Sequence, residues 1–407
     1  MFGTHKNKQP AANGSNRMPE YAYLGDDSIY LDAACQSMRP QPVIDAVQDY
    51  YHSYNACGGR VKYKWGQQVD EAIEDTRREV LGFLKLPAKD YSVSFTLNTT
   101  YGLNLILSQL PAGNYRRIIT SDIEHNSVFL PTMAAAGRLG IERIVLSRTP
   151  DGQLQYDQSQ LENAVVVVNA VSNIDGRALG NVQALVDDAH RRGGIVILDA
   201  AQAMAHHHEL LTSVQADAIC FSGHKMYATS LGVIVIRKEL LQSLHKSFIG
   251  GGMVHAVKES SYKLLPDEPS ALLEPGLQAF GEIIGFKKAL EWLGQLRPGG
   301  RSLHDHMQGL SQELYDGLKS IEGLEMFNAG PSSVISVYSP KIDAHRLAVF
   351  LSSAGIMVRS GYFCCHYYLL EKNQLPPLLR FSIGLHNTSH DVQHALKTMR
   401  TLIEGQK

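Results

Sequence analysis

Short, strongly apolar segments recur along the chain up to residue 237, and they constrain its fold more than any other feature of the sequence. Several, such as residues 165–168, are apolar without interruption, which is typical of strands buried on both faces of a mostly parallel sheet. The predicted strands are residues 92–97, 117–121, 143–146, 164–170, 194–198, 218–221 and 233–237. Amphipathic helical patterns alternate with them, at residues 67–84, 101–109, 127–137 and 182–192. This alternation predicts an α/β domain.

The pattern changes after about residue 285. A helical pattern over residues 281–296 ends at an Arg-Pro-Gly-Gly sequence, which is a helix stop signal. The remainder contains predicted strands at 333–338 and 379–384 and a predicted helix at 343–354, with further helices around them. We therefore predict a loose N-terminal arm (1–20), a large domain (21–285) and a smaller C-terminal α+β domain (286–407). The sequence leaves open whether residues 21–45 pack with the small domain.

Charge and composition exclude several classes of protein. The 38 Lys and Arg residues nearly balance the 40 Asp and Glu residues, which argues against a broad basic surface that binds nucleic acid. The first twenty residues contain no apolar run, and no long apolar stretch occurs elsewhere, so we predict neither a signal peptide nor a membrane-spanning helix. Five cysteines form no disulfide framework, which indicates a cytoplasmic protein with reduced thiols. Packing positions are expected for Cys35, Cys57 and Cys220.

An acidic and a basic residue follow two of the predicted strands. Asp199 ends one strand, and Lys225 follows another in the sequence Ser222-Gly223-His224-Lys225. Ligands of open α/β sheets bind at the carboxyl ends of strands. An enzyme that holds pyridoxal phosphate needs both groups, because the lysine forms a Schiff base and the carboxylate keeps the pyridine nitrogen protonated. Alone, such an aspartate is more often a loop cap and such a lysine a surface residue, but the pair favours a cofactor site. Ser222 and His224, which flank the lysine, are expected to donate hydrogen bonds to the cofactor's phosphate.

The segments ILDAAQAMAHH and FSGHKMY, which contain these residues, resemble the fold-type I, class V aminotransferase superfamily, and within it the SUF-type cysteine desulfurases. The resemblance extends from residue 30 to residue 382. It implies a large domain that binds pyridoxal phosphate, a smaller C-terminal domain and a homodimer with active sites near the subunit interface. It also implies that L-cysteine is converted to L-alanine, with the sulfur held as an enzyme persulfide for an acceptor protein, as in iron–sulfur cluster assembly.

The resemblance assigns roles around the cofactor to individual residues. Thr99 and Thr100, which open a predicted helix, match a phosphate-binding pair, although a plain helix cap would use the same residue types. His125 matches the catalytic histidine that stacks on the cofactor. Asn173 and Gln202 match residues near the cofactor's phenolic oxygen, although amides at strand ends often only close turns.

A second group of assignments concerns sulfur transfer and the substrate. The Arg-Ser-Gly sequence that begins at Arg359 resembles the family motif before the catalytic cysteine, and Cys364 takes the position of that cysteine. Arg380 matches the arginine that binds the substrate carboxylate, a task for which the guanidinium fork is suited. Arg359 and Asn173 are the other expected substrate contacts. Without the resemblance, Cys364 fits a packing position as well as a nucleophile.

Four residues depart from the family pattern. Leu277 stands where the family has a threonine that contacts the partner subunit's phosphate. Tyr362 and Phe363 replace polar residues before the catalytic cysteine, and Cys365 replaces a small residue after it. Their effects are not predictable from the sequence. The departures bear on the substrate and the sulfur acceptor more than on the cofactor.

Several other functions are compatible with part of these residues. A selenocysteine lyase, a C–S lyase or a class V aminotransferase or epimerase would keep Lys225, Asp199 and Arg380 without requiring Cys364. A non-enzymatic sulfur carrier or scaffold is a further alternative. We expect no metal site, because adjacent cysteines have poor zinc spacing and the consecutive histidines 206–208 cannot all face one ion.

Overall fold

The structure, a computed structural model, describes residues 17–25, 28–59, 61–265, 269–300 and 303–405. The strands are β1 (Ile29–Tyr30), β2 (Tyr91–Thr96), β3 (Arg117–Ser121), β4 (Glu142–Leu146), β5 (Ala164–Asn169), β6 (Ile195–Asp199), β7 (Ala218–Ser222), β8 (Gly232–Arg237), β9 (Val254–Lys258), β10 (Ser261–Leu264), β11 (Glu325–Met326), β12 (Val334–Tyr338), β13 (Ile356–Met357), β14 (Arg359–Gly361) and β15 (Leu378–Ser382). The α-helices are α1 (Gln41–Ser53), α2 (Lys64–Leu84), α3 (Thr99–Ser108), α4 (Asn126–Leu139), α5 (Val182–Arg191), α6 (Ala203–His206), α7 (Lys238–Ser243), α8 (Phe280–Gln295), α9 (Leu303–Lys319), α10 (Ala344–Ser353) and α11 (Ser389–Glu404). A π-helix spans Tyr367–Lys372.

A seven-stranded sheet in the order β2-β8-β7-β6-β5-β3-β4 forms the centre of the large domain. All neighbouring strands are parallel except β8, which is antiparallel to both β2 and β7. The predicted α/β fold with a mostly parallel sheet is thus confirmed. Most predicted strands and helices differ from the observed ones by only one or two residues at their ends, and α2 starts three residues earlier than the predicted helix.

The uninterrupted apolar run of β5 is explained by burial on both faces of this sheet. Val166 and Val168 belong to one hydrophobic cluster, and Val165 and Val167 belong to the cluster on the other face. Successive side chains of a strand point to opposite faces, so both sets must be apolar. Each fully buried valine contributes about 1.5–3 kcal/mol relative to exposure.

The strand directions bring several loops to one edge of the sheet. The parallel strands β3, β5, β6 and β7 all end at this edge. Since β8 is antiparallel to both of its neighbours, β2 ends there as well and leads into α3. Each loop that follows these strands contains residues predicted for the site. The fold therefore collects residues that are far apart in the sequence.

The smaller domain is built on an antiparallel sheet in the order β11-β12-β15-β14, against which α10 packs; α9 and α11 contact each other. The N-terminal segment joins this domain, because β1 pairs in parallel with β13. Residues 1–16 of the predicted arm lie outside the described residues. Arg17, near the end of that predicted arm, forms a buried ion pair with Asp391 and donates to the carbonyl of His386. Among the helices described, none is both long and apolar enough to span a membrane.

Candidate active site

A cavity of about 260 Å³ lies where the strand ends of the large domain face the small domain. All of the residues predicted for the site line this cavity. They are Thr99, Thr100, His125, Asn173, Asp199, Gln202, Ser222, His224, Lys225, Arg359, Cys364 and Arg380. The structure therefore brings the predicted residues together in one cleft.

Lys225 and Asp199 form the charged part of the cleft floor. Burial lowers the pKa of Lys225, while the nearby Asp199 opposes that change. Burial raises the pKa of Asp199. A hydrogen bond from the Ala201 N–H to its carboxylate, at 2.9 Å, and the nearby Lys225 both act in the opposite direction and lower this pKa. A buried carboxylate of this kind can stabilise a positive charge on a bound ring, and a lysine with a lowered pKa is suited to act as a nucleophile and a base.

The N-terminus of α3 presents hydroxyl groups to one end of the cleft. The Thr99 N–H donates to Ser222 Oγ at 2.8 Å, and Thr99 Oγ1 lies 2.6 Å from the same atom. Thr100 Oγ1 lies 2.6 Å from Ser127 Oγ. A Cβ on Gly102 would lie 2.9 Å from Ile234 Cγ1, so glycine allows α3 to pack closely on β8. The dipole of α3 and the hydroxyl groups collected at its N-terminus make this end suitable for a phosphate.

His125 forms the N-cap of α4, which holds its ring at the cleft. Its Nδ1 accepts a hydrogen bond from the Ser127 N–H at 3.0 Å. This bond places the ring proton on Nε2, as inferred from the hydrogen-bond network. Burial, together with nearby Lys225, lowers the pKa of His125 to about 3. The ring is therefore neutral near pH 7, and a neutral planar ring can stack on an aromatic ligand.

Gln202 and His224 connect the floor with the N-terminal segment. Gln202 Nε2 donates to the Ala34 carbonyl at 2.7 Å. The His224 carbonyl accepts from the N–H of Ser37 at 2.8 Å, and burial lowers the pKa of the His224 ring to about 4. The segment that follows β1 is thereby fixed against the residues flanking Lys225.

Arg380 in β15 is buried at the cleft wall with part of its donor set unused. Its Nη1 donates to the Asn173 carbonyl and its Nη2 to Asp32 Oδ1, both at 2.9 Å. Its Nε is buried and lacks a hydrogen-bond partner among the described residues. The guanidinium also lies over the Phe363 ring, with Cζ 4.7 Å from the ring centroid. Since buried donors are normally satisfied, an unpaired guanidinium N–H points to an anionic ligand.

Arg359 in β14 has two partners that the sequence did not reveal. Its Nη1 donates to Cys35 Sγ at 2.6 Å and lies 3.9 Å from Asp32 Oδ2. Cys35 lines the cleft, so its predicted packing role is wrong, because its thiol is engaged by a cation rather than by apolar side chains. Cys57 is exposed, which also contradicts a packing role, whereas Cys220 is fully buried as expected.

Cys364 lies in an irregular loop with an unusual backbone. Phe363 and Cys364 have φ angles of 49° and 60°, in the left-handed region, which costs about 1–2 kcal/mol for each non-glycine residue. The Asn126 N–H donates to the Cys364 carbonyl at 2.6 Å, and Asn173 Nδ2 donates to the Phe363 carbonyl at 2.8 Å. Backbone strain of this kind persists where surrounding contacts hold it, and it clusters at functional sites.

The two adjacent thiols of this loop have different environments. Cys364 is half-buried and lines the cleft, whereas Cys365 is fully buried. Burial raises the pKa of the Cys365 thiol, which donates a hydrogen bond to Asn173 Oδ1 at 3.0 Å. Since the thiolate is the reactive form, Cys364 is the nucleophile candidate of the pair.

Two other features noted in the sequence lie apart from the cleft. Leu277 is 75% exposed and borders a separate groove, which is also lined by the ion pair of Arg77 and Glu274. His206 Nε2 lies 3.1 Å from the hydroxyl oxygen of Tyr227. No cluster of three or more potential metal ligands occurs in the part of the chain that the structure describes.

Sequence reasoning missed Asp32, Cys35 and Ser127 as parts of the site. Asp32 and Cys35 are three residues apart in the segment that follows β1. No spacing rule links them to Arg359 and Arg380, which they contact. Ser127 was recognisable from the sequence, because it lies two residues after His125 at the start of a helix. A serine there can donate its backbone N–H to the capping side chain and its hydroxyl to a phosphate.

The chain is similar in sequence and in fold to known proteins, and these similarities agree with one another. An aminotransferase class-V family model matches residues 29–395. A probable cysteine desulfurase from Methanothermobacter thermautotrophicus is 30% identical over 393 residues, which cover 92% of this chain and 95% of that protein. A cysteine desulfurase from Klebsiella pneumoniae is 29% identical over 387 residues, covering 93% and 94%. The solved apo structure of a cysteine desulfurase from Thermococcus onnurineus has a TM-score of 0.85 at 28% identity and covers 97% of this chain and 100% of its own.

Proposed function

The chain belongs to the class-V aminotransferase family, and from this premise we propose that it is a pyridoxal phosphate-dependent cysteine desulfurase. It converts L-cysteine into L-alanine and transfers the sulfur to Cys364. The observation that carries this proposal is that one cleft holds Lys225, Arg380 and Cys364 together. The relatives named as cysteine desulfurases, which are similar over more than nine tenths of the chain, support it.

The residues of the cleft fit pyridoxal phosphate. Lys225 would attach it covalently, Asp199 would face its ring nitrogen, and His125 would stack on the ring. The N-terminus of α3 with Thr99 and Ser222 would receive the phosphate. When bound, this cofactor withdraws electrons from the substrate Cα and so stabilises the negative charge that develops there.

Arg380 orients the substrate. Its unpaired Nε and its contacts with Asn173 and Asp32 place a fixed positive charge beside the floor. A carboxylate can accept from the guanidinium, and Arg359 adds a second cation at the same wall. The substrate Cα is thereby held near Lys225, and its side chain extends toward the Cys364 loop.

Lys225 moves the proton. Burial lowers its pKa, so a neutral amine is more accessible than for a lysine in water, and Nζ can take the proton from the substrate Cα. Asp199 would stabilise a positive charge on the cofactor's ring nitrogen. The neutral His125 ring adds no competing charge.

Cys364 receives the sulfur. Its thiolate attacks the substrate Sγ, so that an S–S bond forms while the substrate Cβ–S bond breaks. The bonding electrons return to the carbon skeleton, which is protonated and released as alanine. Cys364 then holds a persulfide, and no external oxidant or reductant is consumed in this step.

The experiment that tests this function identifies the products. With L-cysteine and a reductant, the cofactor-loaded protein is expected to release alanine and sulfide in equal amounts, and Cys364→Ala is expected to lose this turnover. The exposed Cys57, outside the cleft, provides the control variant Cys57→Ala. Pyruvate and ammonia in place of alanine would show a C–S lyase instead, and unchanged turnover of Cys364→Ala would exclude this cysteine as the sulfur acceptor. Parallel assays with selenocysteine and cystine determine which substrate is preferred.

We also propose a homodimer and a sulfur-accepting protein partner. Large apolar side chains are exposed on the described surface, including Leu97 at 69% and Leu277 at 75%. A dimer interface would cover such side chains. Sedimentation of the loaded protein tests the dimer, because a monomer at micromolar concentration would contradict it.

A further inference from the structure

The loop that carries Cys364 is attached to Asn173 by more than one contact. Asn173 Nδ2 donates to the Phe363 carbonyl at 2.8 Å, and the Cys365 thiol donates to Asn173 Oδ1 at 3.0 Å. Asn173 follows β5 of the seven-stranded sheet, and Cys365 lies 192 residues later, after β14 of the four-stranded sheet. Both bonds therefore connect segments that follow strands of different sheets. The residues on either side of Cys364 thus share one carboxamide.

These two bonds fix the orientation of the carboxamide. Rotating it by half a turn would place Asn173 Oδ1 against the Phe363 carbonyl, where two acceptors would face each other. In the observed orientation, the acceptor oxygen is used by Cys365. One N–H of Nδ2 is used by Phe363, and Nδ2 carries a second N–H in a side chain that lines the cleft. A second donor of this kind suits an oxygen anion bound in the cleft.

The same residue connects the loop to the substrate arginine. The Asn173 carbonyl accepts from Arg380 Nη1 at 2.9 Å. The Cys365 side chain is fully buried and its thiol remains protonated, because burial raises its pKa. Cys365 is thus a donor in this network rather than a second nucleophile.

We propose that Cys365 is a positioning residue. Its thiol fixes the orientation of the Asn173 carboxamide, so that Nδ2 can donate to an oxygen anion bound in the cleft, and it holds the strained Cys364 loop against this carboxamide. This proposal rests on the proposed function for its kinetic consequences. Its structural consequence, the placement of Cys364, does not depend on turnover. The thiol therefore acts on catalysis through Asn173 and through the position of Cys364.

Matched variants test the hydrogen bond. Cys365→Ser keeps a donor, whereas Cys365→Ala leaves Asn173 Oδ1 buried and unpaired. We expect Cys365→Ala to lower kcat/KM for L-cysteine about tenfold, from the loss of a buried hydrogen bond, with part of the effect in KM. Cys365→Ser is expected to stay within about threefold of the parent. Cys220→Ala removes another fully buried thiol, among apolar side chains, and is the control for lost packing.

A second readout is independent of catalysis. The rate at which iodoacetamide alkylates Cys364, measured without substrate, is expected to change at least threefold in Cys365→Ala and to remain at the parent value in Cys365→Ser and Cys220→Ala. If the parent forms no alanine from L-cysteine, the proposed function fails, but the alkylation rates still decide the positioning role.

The proposal is overturned if Cys365→Ala matches the parent in both readouts, or if Cys365→Ser is as impaired as Cys365→Ala. The pair Cys365→Thr and Cys365→Val repeats the comparison at nearly equal volume, with and without a hydroxyl donor. This second pair of variants tests the hydrogen bond if Cys365→Ala does not fold. Equal alkylation rates and kinetics for threonine and valine would show that only packing matters at this position.

Discussion

The floor and the opposite wall of the cleft are held in place by different means. On the floor, Asp199 is the last residue of β6 and Lys225 follows β7, and the ladder between these neighbouring strands fixes their separation. On the wall, Cys364 lies in a loop with left-handed backbone, which side chains and backbone groups of the other domain hold. Regular structure thus places the groups that handle the cofactor and the proton. The nucleophile depends on a few specific hydrogen bonds, so it is the part of the site that single substitutions can move.

The largest expected effect separates the chemistry of the floor from the geometry of the wall. Lys225→Ala removes both the cofactor attachment and the base, so alanine formation should fall at least about 10³-fold. Because the loop contacts do not involve Lys225, the alkylation rate of Cys364 should remain that of the parent. The two measurements are the release of alanine and the rate at which iodoacetamide alkylates Cys364. Lys319→Ala, which removes an exposed lysine, is the control variant. A parallel loss of both properties would show that floor and wall are not independent.

A smaller effect is expected when the wall is loosened without touching the floor. Lys372, in the π-helix after the loop, donates to Asp122 Oδ2 at 2.6 Å and to Ser147 Oγ at 3.0 Å. Lys372→Met leaves the buried Asp122 carboxylate without this partner and should lower the free energy of unfolding by about 1 kcal/mol. Turnover should fall about threefold.

Hydrogen exchange measures where this loosening occurs. Amide exchange in residues 362–375 should accelerate in Lys372→Met, while exchange in β5, β6 and β7 should stay at the parent rate. Faster exchange in the central sheet would contradict the division between floor and wall, because it would show that the lysine stabilises the whole domain.

The smallest effect concerns the pH dependence of stability and the buried ring of His386, which contacts β1. This ring is fully buried, its Nε2 lies 2.9 Å from the Tyr30 carbonyl, and burial lowers its pKa to about 4. The unfolded chain binds this proton near pH 6.5, so between about pH 6.5 and 4 the unfolded state holds more protons than the folded state. The free energy of unfolding should therefore decrease as the pH falls, by up to about 1.4 kcal/mol per unit from this group.

Urea unfolding at several pH values checks this expectation. His386→Asn removes the titrating ring, so its stability should depend less steeply on pH below 6.5 than that of the parent. Equal slopes would mean that His386 is not held neutral by the fold. The effect on stability should leave the relative activity of the folded protein between pH 6 and 8 unchanged.

The floor was more accessible to sequence reasoning than the wall. Uninterrupted apolar runs identify the strands of the parallel sheet, and polar residues just after them identify the sheet edge, which is how Asp199 and Lys225 were found. The resemblance supplied Cys364 and Arg380. The domain boundaries and the individual roles of the site residues remain predictions.

The contacts of the wall were not predictable, for physical reasons. The left-handed backbone of Phe363 and Cys364 has no glycine or asparagine to signal it, because tertiary contacts rather than local preference impose it. The bonds from Cys365 to Asn173 and from Arg359 to Cys35 join residues far apart in the sequence. Such pairs depend on how the two domains meet.

Locating the transferred sulfur tests the central claim most directly. The cofactor-loaded protein is reacted with one equivalent of L-cysteine, its thiols and persulfides are alkylated, and the peptides are analysed by fragmentation mass spectrometry. We predict one additional sulfur on Cys364, alanine in an equal amount, and no added sulfur on Cys365 or Cys35. Alanine formed with the sulfur on Cys365 or Cys35, or with no sulfur bound to the protein, would contradict the account.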